Sequence, residues 1–152
     1  MQNSMKGLAL GLSLLSGAAF GLSAVGLGAV GPAAAADLKI GMITTLSGGG
    51  SGLGIDVRDG FLLATKGSNA LEVVIEDDQR KPDIAVQLAD KMIQSEKVDV
   101  MTGIIWSNLA MAVVPAATAQ GKFYLSPNSG PSALAGRGCS PNYFNVSWQN
   151  DA

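Results

Sequence analysis

Short apolar runs recur along the chain, and stretches with helical periodicity fill the gaps between them. Leu38 to Ile43 and Leu71 to Ile75 are brief, apolar and bounded by turn-forming residues, as suits strands buried in a parallel sheet. Val98 to Ile105, Phe123 to Leu125 and Tyr143 to Val146 repeat the theme. From Ile55 to Lys66, Val57, Phe61 and Ala64 fall on one helical face. Asp56 and Asp59 are expected in the first turn of that helix, complementing its positive end, and Gly60 is expected to let it approach the sheet. Pro82-Asp83 opens a second helix, whose inward stripe is Ile84, Leu88, Met92 and Ile93. Leu109, Val113, Ala116 and Ala117 outline a third; Pro115 lies inside it and predicts a bend near Val114. Gly121 ends it, where a left-handed cap suits glycine. Strands separated by helices of about a dozen residues imply right-handed crossovers, hence an α/β fold of three layers with a parallel sheet covered on both faces.

The N-terminal segment stands apart from this pattern. Lys6 is its only charge, Gly7 to Val30 is an uncharged run of small and apolar residues, and Ala34-Ala35-Ala36 follows. That layout predicts a secretory signal peptide over residues 1–36 with an A-x-A cleavage site. The competing reading is a membrane anchor, because the run is long enough to span a bilayer. The many glycines and alanines and the small-residue exit favour cleavage.

The remaining chain, about 116 residues, is one domain's worth and can bury roughly two thirds of its unfolded surface. It holds nine basic and twelve acidic side chains, a net charge of about −3. Basic groups such as Lys39, Arg58, Lys66, Lys91, Lys122 and Arg137 are scattered rather than clustered into a phosphate-binding stripe, so nucleic acid is not an expected partner. Cys139 is the sole cysteine and the chain has no histidine. An internal disulfide is therefore impossible, and the commonest metal ligand and general base are missing together. Neither a metal nor a catalytic triad is expected.

In a doubly wound sheet the ligand crevice lies beyond the carboxyl ends of the strands, where neighbouring connections leave in opposite directions. Three loops qualify: Thr44 to Gly54, Trp106 to Asn108, and Ser126 to Pro131. The first is glycine-rich but fits neither G-x-G-x-x-G nor the P-loop pattern, since Ile55 stands where the lysine belongs. Glu76, Asp77 and Asp78 end the second strand, where a dinucleotide fold keeps its ribose acid; otherwise they are expected to form a solvated loop. Ser107 and Ser129 suit a different chemistry, because a hydroxyl beside free N–H groups at a helix start holds a carboxylate without any cation. The alternative is that Ser107 or Asn108 caps the third helix. Trp106 offers an aromatic wall or simple packing. Asn128, Ser129 and Gly130 form either a rim or a plain turn, and Trp148 and Gln149 point to the same edge.

Leu38-Lys39-Ile40-Gly41, the Ser/Gly-rich loop, Glu76-Asp77-Asp78 with Pro82, Ser107, and Ser126-Pro127 occur in an order and spacing that resembles the periplasmic binding proteins of the branched-chain amino-acid (leucine/isoleucine/valine) type. The resemblance covers nearly all of residues 37–152. It implies the first lobe of a type I periplasmic binding protein fold, with sheet order 2-1-3-4-5. It also implies an extracytoplasmic, periplasmic solute receptor that delivers its ligand to ABC permease subunits and has no cofactor. The ligand carboxylate would be held by Ser107 and by Asn128, Ser129 and Gly130. Leu53 occupies a place where the family often has an aromatic residue, and Gln79 and Trp106 cannot make the disulfide of the best-known members. The run Trp106-Ser107-Asn108-Leu109-Ala110-Met111 looks more like members that bind aromatic or other apolar carboxylic acids, whose apolar body would lie near Leu53 and Trp106. Family members are more than twice this long, so the expectation is an incomplete receptor whose second lobe is absent.

Two alternatives stay open on the sequence. One is the dinucleotide-binding domain of a truncated oxidoreductase; the other is the ligand-sensing domain of a receptor. The leading expectation is a binding protein with no catalytic residues.

Overall fold

The apolar runs pair side by side in one five-stranded parallel sheet of order β2-β1-β3-β4-β5, the order that the resemblance implies. The computed structural model describes residues 38–150; the export segment expected over 1–36 lies outside the described residues. The strands are β1 (Leu38–Thr44), β2 (Leu71–Asp77), β3 (Val100–Thr102), β4 (Phe123–Ser126) and β5 (Tyr143–Asn145). Between them run α1 (Ser51–Thr65), α2 (Pro82–Gln94), α3 (Ser107–Ala119) and the short α4 (Ser132–Ala135).

The register sorts the side chains into two faces. Gly41, Met101 and Tyr124 are mutual partners across β1, β3 and β4, so they share a face with Ile43. Against it pack Ala85, Ala89, Met92 and Ile93 of α2 and Leu109, Val113, Val114 and Ala117 of α3, forming the core. Each fully buried aliphatic side chain there contributes roughly 1.5–3 kcal/mol. The centre of the α2 stripe is Ala85 and Ala89, with Ile84 and Leu88 only half-buried on its flank. Small residues let the helix come close: a Cβ on Gly41 would lie 2.7 Å from Met92 Sδ.

The opposite face carries Ile40, Met42, Val100, Thr102, Phe123, Leu125 and Phe144, again matched by register. Among the described residues only α1 covers it, at the β1–β2 end. A right-handed crossover toward β2 puts α1 on one face, and every later crossover runs the other way and puts its helix on the opposite face. Phe123, Leu125 and Phe144 are consequently 47%, 39% and 48% exposed. The second helical layer is thus partial among the described residues.

Several local expectations are corrected. The first helix begins at Ser51, four residues before Ile55, so Asp56 and Asp59 lie beyond its first turn, which holds no acidic residue. Ala64 is exposed, and Val57 and Phe61 are half-buried. Gly60 faces open space, whereas Gly54 meets the chain: a Cβ there would lie 2.0 Å from the Thr45 carbonyl oxygen. β3 is three residues long because Gly103, at φ 105, turns the chain out of the ladder; Ile104 and Ile105 are apolar because they are buried, not because they pair. α3 runs continuously through Pro115, and Gly121 follows it at φ 76, as its sequence position requires.

Gly54→Ala should therefore destabilise the chain by about 1–3 kcal/mol through overpacking against backbone. Gly60→Ala should stabilise it by up to about 1 kcal/mol through helix propensity alone. Urea unfolding of the two variants beside the parent checks the contrast; equal midpoints would contradict the packing described for α1.

Candidate functional site

β1 connects leftward to β2 and β3 rightward to β4, so the connections part company between these two adjacent strands. This is the switch point of the sheet, and α1 and α3 both begin beside it. Neither helix start has a side-chain cap: Gly50 precedes α1 and Trp106 precedes α3. Ser107 is the first residue of α3, so neither Ser107 nor Asn108 caps the helix as the sequence allowed. At α1 the N–H groups of Ser51 and Leu53 turn to the carbonyls of Gly48 and Gly50, so it is chiefly the uncapped start of α3 that leaves backbone N–H groups available to an anion.

Behind the crevice the candidate residue Trp106 and the strand-end acid Asp78 are stitched together through Thr45 and Arg80, neither of which was a site candidate on the sequence. The Thr45 hydroxyl donates to Asp78 Oδ1 at 2.6 Å, and Trp106 Nε1 donates to Thr45 Oγ1 at 2.9 Å. Arg80 lies over the Trp106 ring, 3.9 Å from its centroid, and its guanidinium reaches the Gly49 carbonyl at 3.3 Å. Gly50, at φ 86, abuts the indole so closely that a Cβ would lie 2.4 Å from Cζ2.

Glu76, Asp77 and Asp78 are not the solvated loop expected of them. Glu76 pairs with Lys91 at 2.6 Å. Asp77 Oδ1 accepts the N–H groups of Leu46 and Gln79 at 2.8 and 2.9 Å. Asp78 is fully buried, and its Oδ1 also accepts Arg80 N–H at 2.8 Å. The reason lies in the backbone: Gln79 and Arg80 adopt consecutive left-handed conformations, φ 52 and 58. Non-glycine residues adopt these at a cost of roughly 1–3 kcal/mol each. Two adjacent carboxylates accepting N–H groups two residues ahead hold that turn. None of the three is free to serve as the ribose acid of a dinucleotide site.

The other rim is built from the loop after β4. Asn128 is half-buried, whereas Ser129 and Gly130 are buried. The Ser129 hydroxyl lies 3.1 Å from Ser126 Oγ, and its carbonyl accepts from Ser126 Oγ and from Tyr143 OH. Gly130 packs under the chain leaving β5, where a Cβ would lie 1.9 Å from the Trp148 carbonyl oxygen. Asn150, unremarked in the sequence, ties the two rims: its amide donates to Ser107 Oγ at 3.0 Å and its N–H to the Gly130 carbonyl at 2.8 Å. Ser107 and the Asn128–Gly130 loop therefore share one edge of the molecule. Leu53, in the first turn of α1, is 48% exposed; Trp106 is half-buried.

The neighbouring carboxylates titrate in opposite directions. Burial pushes Asp78 up, against the opposing hydrogen bonds from Thr45 and Arg80 N–H, and the Asp77 charge adds to the rise. Burial also acts to raise Asp77, but the Ser47 hydroxyl and the N–H groups of Leu46, Gln79 and Ser47 outweigh it and hold the group below the ordinary carboxylate value. A lowered folded-state pKa contributes stability above the unfolded value that is lost as pH falls through the folded one; a raised pKa costs stability as pH rises through it. The stability advantage of the parent over Asp77→Asn should thus shrink on acidification below the ordinary carboxylate range. Relative to the parent, Asp78→Asn should gain stability as pH rises above that range. Urea midpoints measured across pH check both signs, and parallel profiles for the two variants would contradict this assignment.

The sequence profile of the family described as periplasmic binding protein matches residues 37–152. Among solved structures, the chain is similar to an ABC transporter substrate-binding protein from Sphaerobacter thermophilus, at 29% identity and a TM-score of 0.71. It is similar to an ABC transporter solute-binding protein from R. palustris in complex with benzoate, at 34% identity and 0.69. A third, from Rhodopseudomonas palustris BisB5 in complex with 3,4-dihydroxybenzoic acid, shows 27% identity and 0.67. Each match covers 74% of this chain and 33%, 33% and 32% of the respective relatives, so the chain spans about a third of the length of these relatives. A search of the curated proteins found no match. Sheet order, structural similarity and family profile agree, and the chain belongs to the periplasmic binding protein family, with the fold of the first lobe of its type I members.

Proposed function

We propose that this chain supplies one wall of an extracytoplasmic solute-binding site for a small carboxylate whose body is aromatic or otherwise apolar, and that the bound solute passes to the permease of an ABC importer. The observation that carries this reading is the meeting of two uncapped helix starts at the switch point, with Ser107 at one of them and the indole of Trp106 beside it. Backbone N–H groups and the Ser107 hydroxyl receive the carboxylate. Leu53 and Trp106 flank the apolar body, and the loop Asn128-Ser129-Gly130 closes the edge. The relative solved with benzoate, at 34% identity, supports an aromatic acid over a branched aliphatic one.

Binding of this kind involves no bond making. The chain lacks histidine, and the relatives named above are solute-binding proteins rather than enzymes. The N-terminal segment fits export, which would place the receptor in the periplasm. A single wall cannot surround its ligand, so the affinity of a closed cleft requires a second lobe that meets the first across a hinge.

The full chain should accordingly bind benzoate weakly, with a Kd of roughly millimolar order. Amide resonances of Ser107, Asn108 and the Asn128–Gly130 loop should shift on titration, and the neutral isostere benzamide should leave them in place. Ser107→Ala should weaken benzoate binding by about 1–3 kcal/mol, the range for a hydrogen bond to a charged group. Equal shifts with benzoate and benzamide, or shifts scattered away from the switch point, would sink the reading.

A further inference from the structure

The donors and acceptors behind Trp106 can be ordered without ambiguity. An indole nitrogen only donates, so Thr45 Oγ1 is the acceptor of the 2.9 Å bond from Trp106. The single proton of the Thr45 hydroxyl is then left for Asp78 Oδ1, 2.6 Å away. That same oxygen accepts Arg80 N–H, which fixes the left-handed turn from which the Arg80 side chain reaches the indole face. Oδ2 of Asp78 is buried without a partner, so a proton taken up by this carboxyl sits there and leaves both bonds to Oδ1 intact. One buried carboxylate therefore controls the indole twice, by its edge through Thr45 and by one face through Arg80. Gly50 limits the benzo ring on a further side.

We propose that Asp78 is a positioning residue for ligand recognition, setting the plane of Trp106 through Thr45 and Arg80, and that this fixed plane selects flat aromatic carboxylates over puckered or branched ones of similar size. The selectivity rests on the binding reading above; the positioning does not. A free indole would rotate to suit either ring, whereas a pinned one presents a flat wall of constant orientation. Preorganisation of this kind favours the ligand whose shape matches without rearrangement.

The test is made on the full chain carrying Trp148→Phe, so that Trp106 is its only indole. Without ligand, Thr45→Val and Asp78→Ala should each lower the fluorescence anisotropy of Trp106 and shift its emission, and the double variant should do no more than either alone. Asp78→Asn keeps an oxygen in the Oδ1 position and should restore most of the anisotropy. Arg80→Ala, at an exposed side chain, should give a smaller change in the same direction and serves where a buried substitution fails to fold. With ligand, benzoate affinity should fall about 5- to 10-fold in Thr45→Val, the loss of roughly one hydrogen bond, while cyclohexanecarboxylate affinity stays within about twofold of the reference. Unchanged anisotropy in both Thr45→Val and Asp78→Ala, with only a lower melting temperature, would overturn the proposal and leave Asp78 a structural residue. Equal losses for the two carboxylates would overturn the selectivity. Altered anisotropy in a parent that binds neither acid would uphold the positioning link and overturn the binding reading.

Discussion

The crevice depends on a carboxylate taken out of water at the end of the second strand. Asp78 is fully buried, a state that costs several kcal/mol for an unpaired ion, and among the described residues no cationic side chain bonds to it. Its compensation is a hydroxyl and a backbone N–H, both delivered to one oxygen. Those two bonds run to different loops, so the penalty of burial is offset only when both loops are in place. Removing either partner leaves a buried acceptor short, and the geometry of the rim is thereby coupled to the two bonds that one side-chain oxygen accepts.

Handedness explains why the rim is where it is. A right-handed crossover to the left of β1 and another to the right of β3 necessarily start their helices on opposite faces of adjacent strands, which brings both helix starts to one crevice. The same rule leaves the far end of the α1 face uncovered, with Phe123 and Phe144 side by side, ring centroids 6.2 Å apart. One topological constraint thus produces both the polar crevice and the apolar face. They differ in what the sequence could signal: a run such as Phe123-Tyr124-Leu125 reads as a buried strand whether or not a helix covers it.

The strands, the crossovers and the switch-point loops were legible because they rest on periodicity and on glycine and proline placement. Ser107 and the Asn128–Gly130 loop were found on one edge, as their positions at strand ends implied. What the sequence hid was the use of polar residues inside the rim. Asp78 looked like one of three solvated acids, since nothing local distinguishes a carboxylate turned inward from one turned out. Thr45 and Arg80 gained meaning only from partners 33 and 31 residues away. The periodicity pointed to Gly60 as the contact glycine, and only the earlier start of α1 shows that the close approach is at Gly54. Asn150 was hidden for the same reason, because its bonds to Ser107 and Gly130 join three segments that are remote along the chain.

If the proposed binding mode holds, committing the cation to the indole rather than to the ligand has a physical consequence. A guanidinium facing a carboxylate would form a charge-assisted pair roughly twice as strong as a neutral contact, and a receptor that must surrender its solute would then work against its own site. Arg80 is instead committed to the indole face and to the Gly49 carbonyl, which under the proposed binding mode would leave a carboxylate to helix N–H groups and a hydroxyl. Such dipoles are fixed by the backbone and need no reorganisation when the anion arrives. On the proposed binding mode they would also discriminate: a neutral amide in the same place would gain little from them, while the flat wall beside them would read the shape of the remainder. In the proposed mode charge and shape would thus be read by separate elements, α3 with its uncapped start and the Trp106 stack, joined through the adjacent residues Trp106 and Ser107 and braced by Asp78 through Thr45 and Arg80.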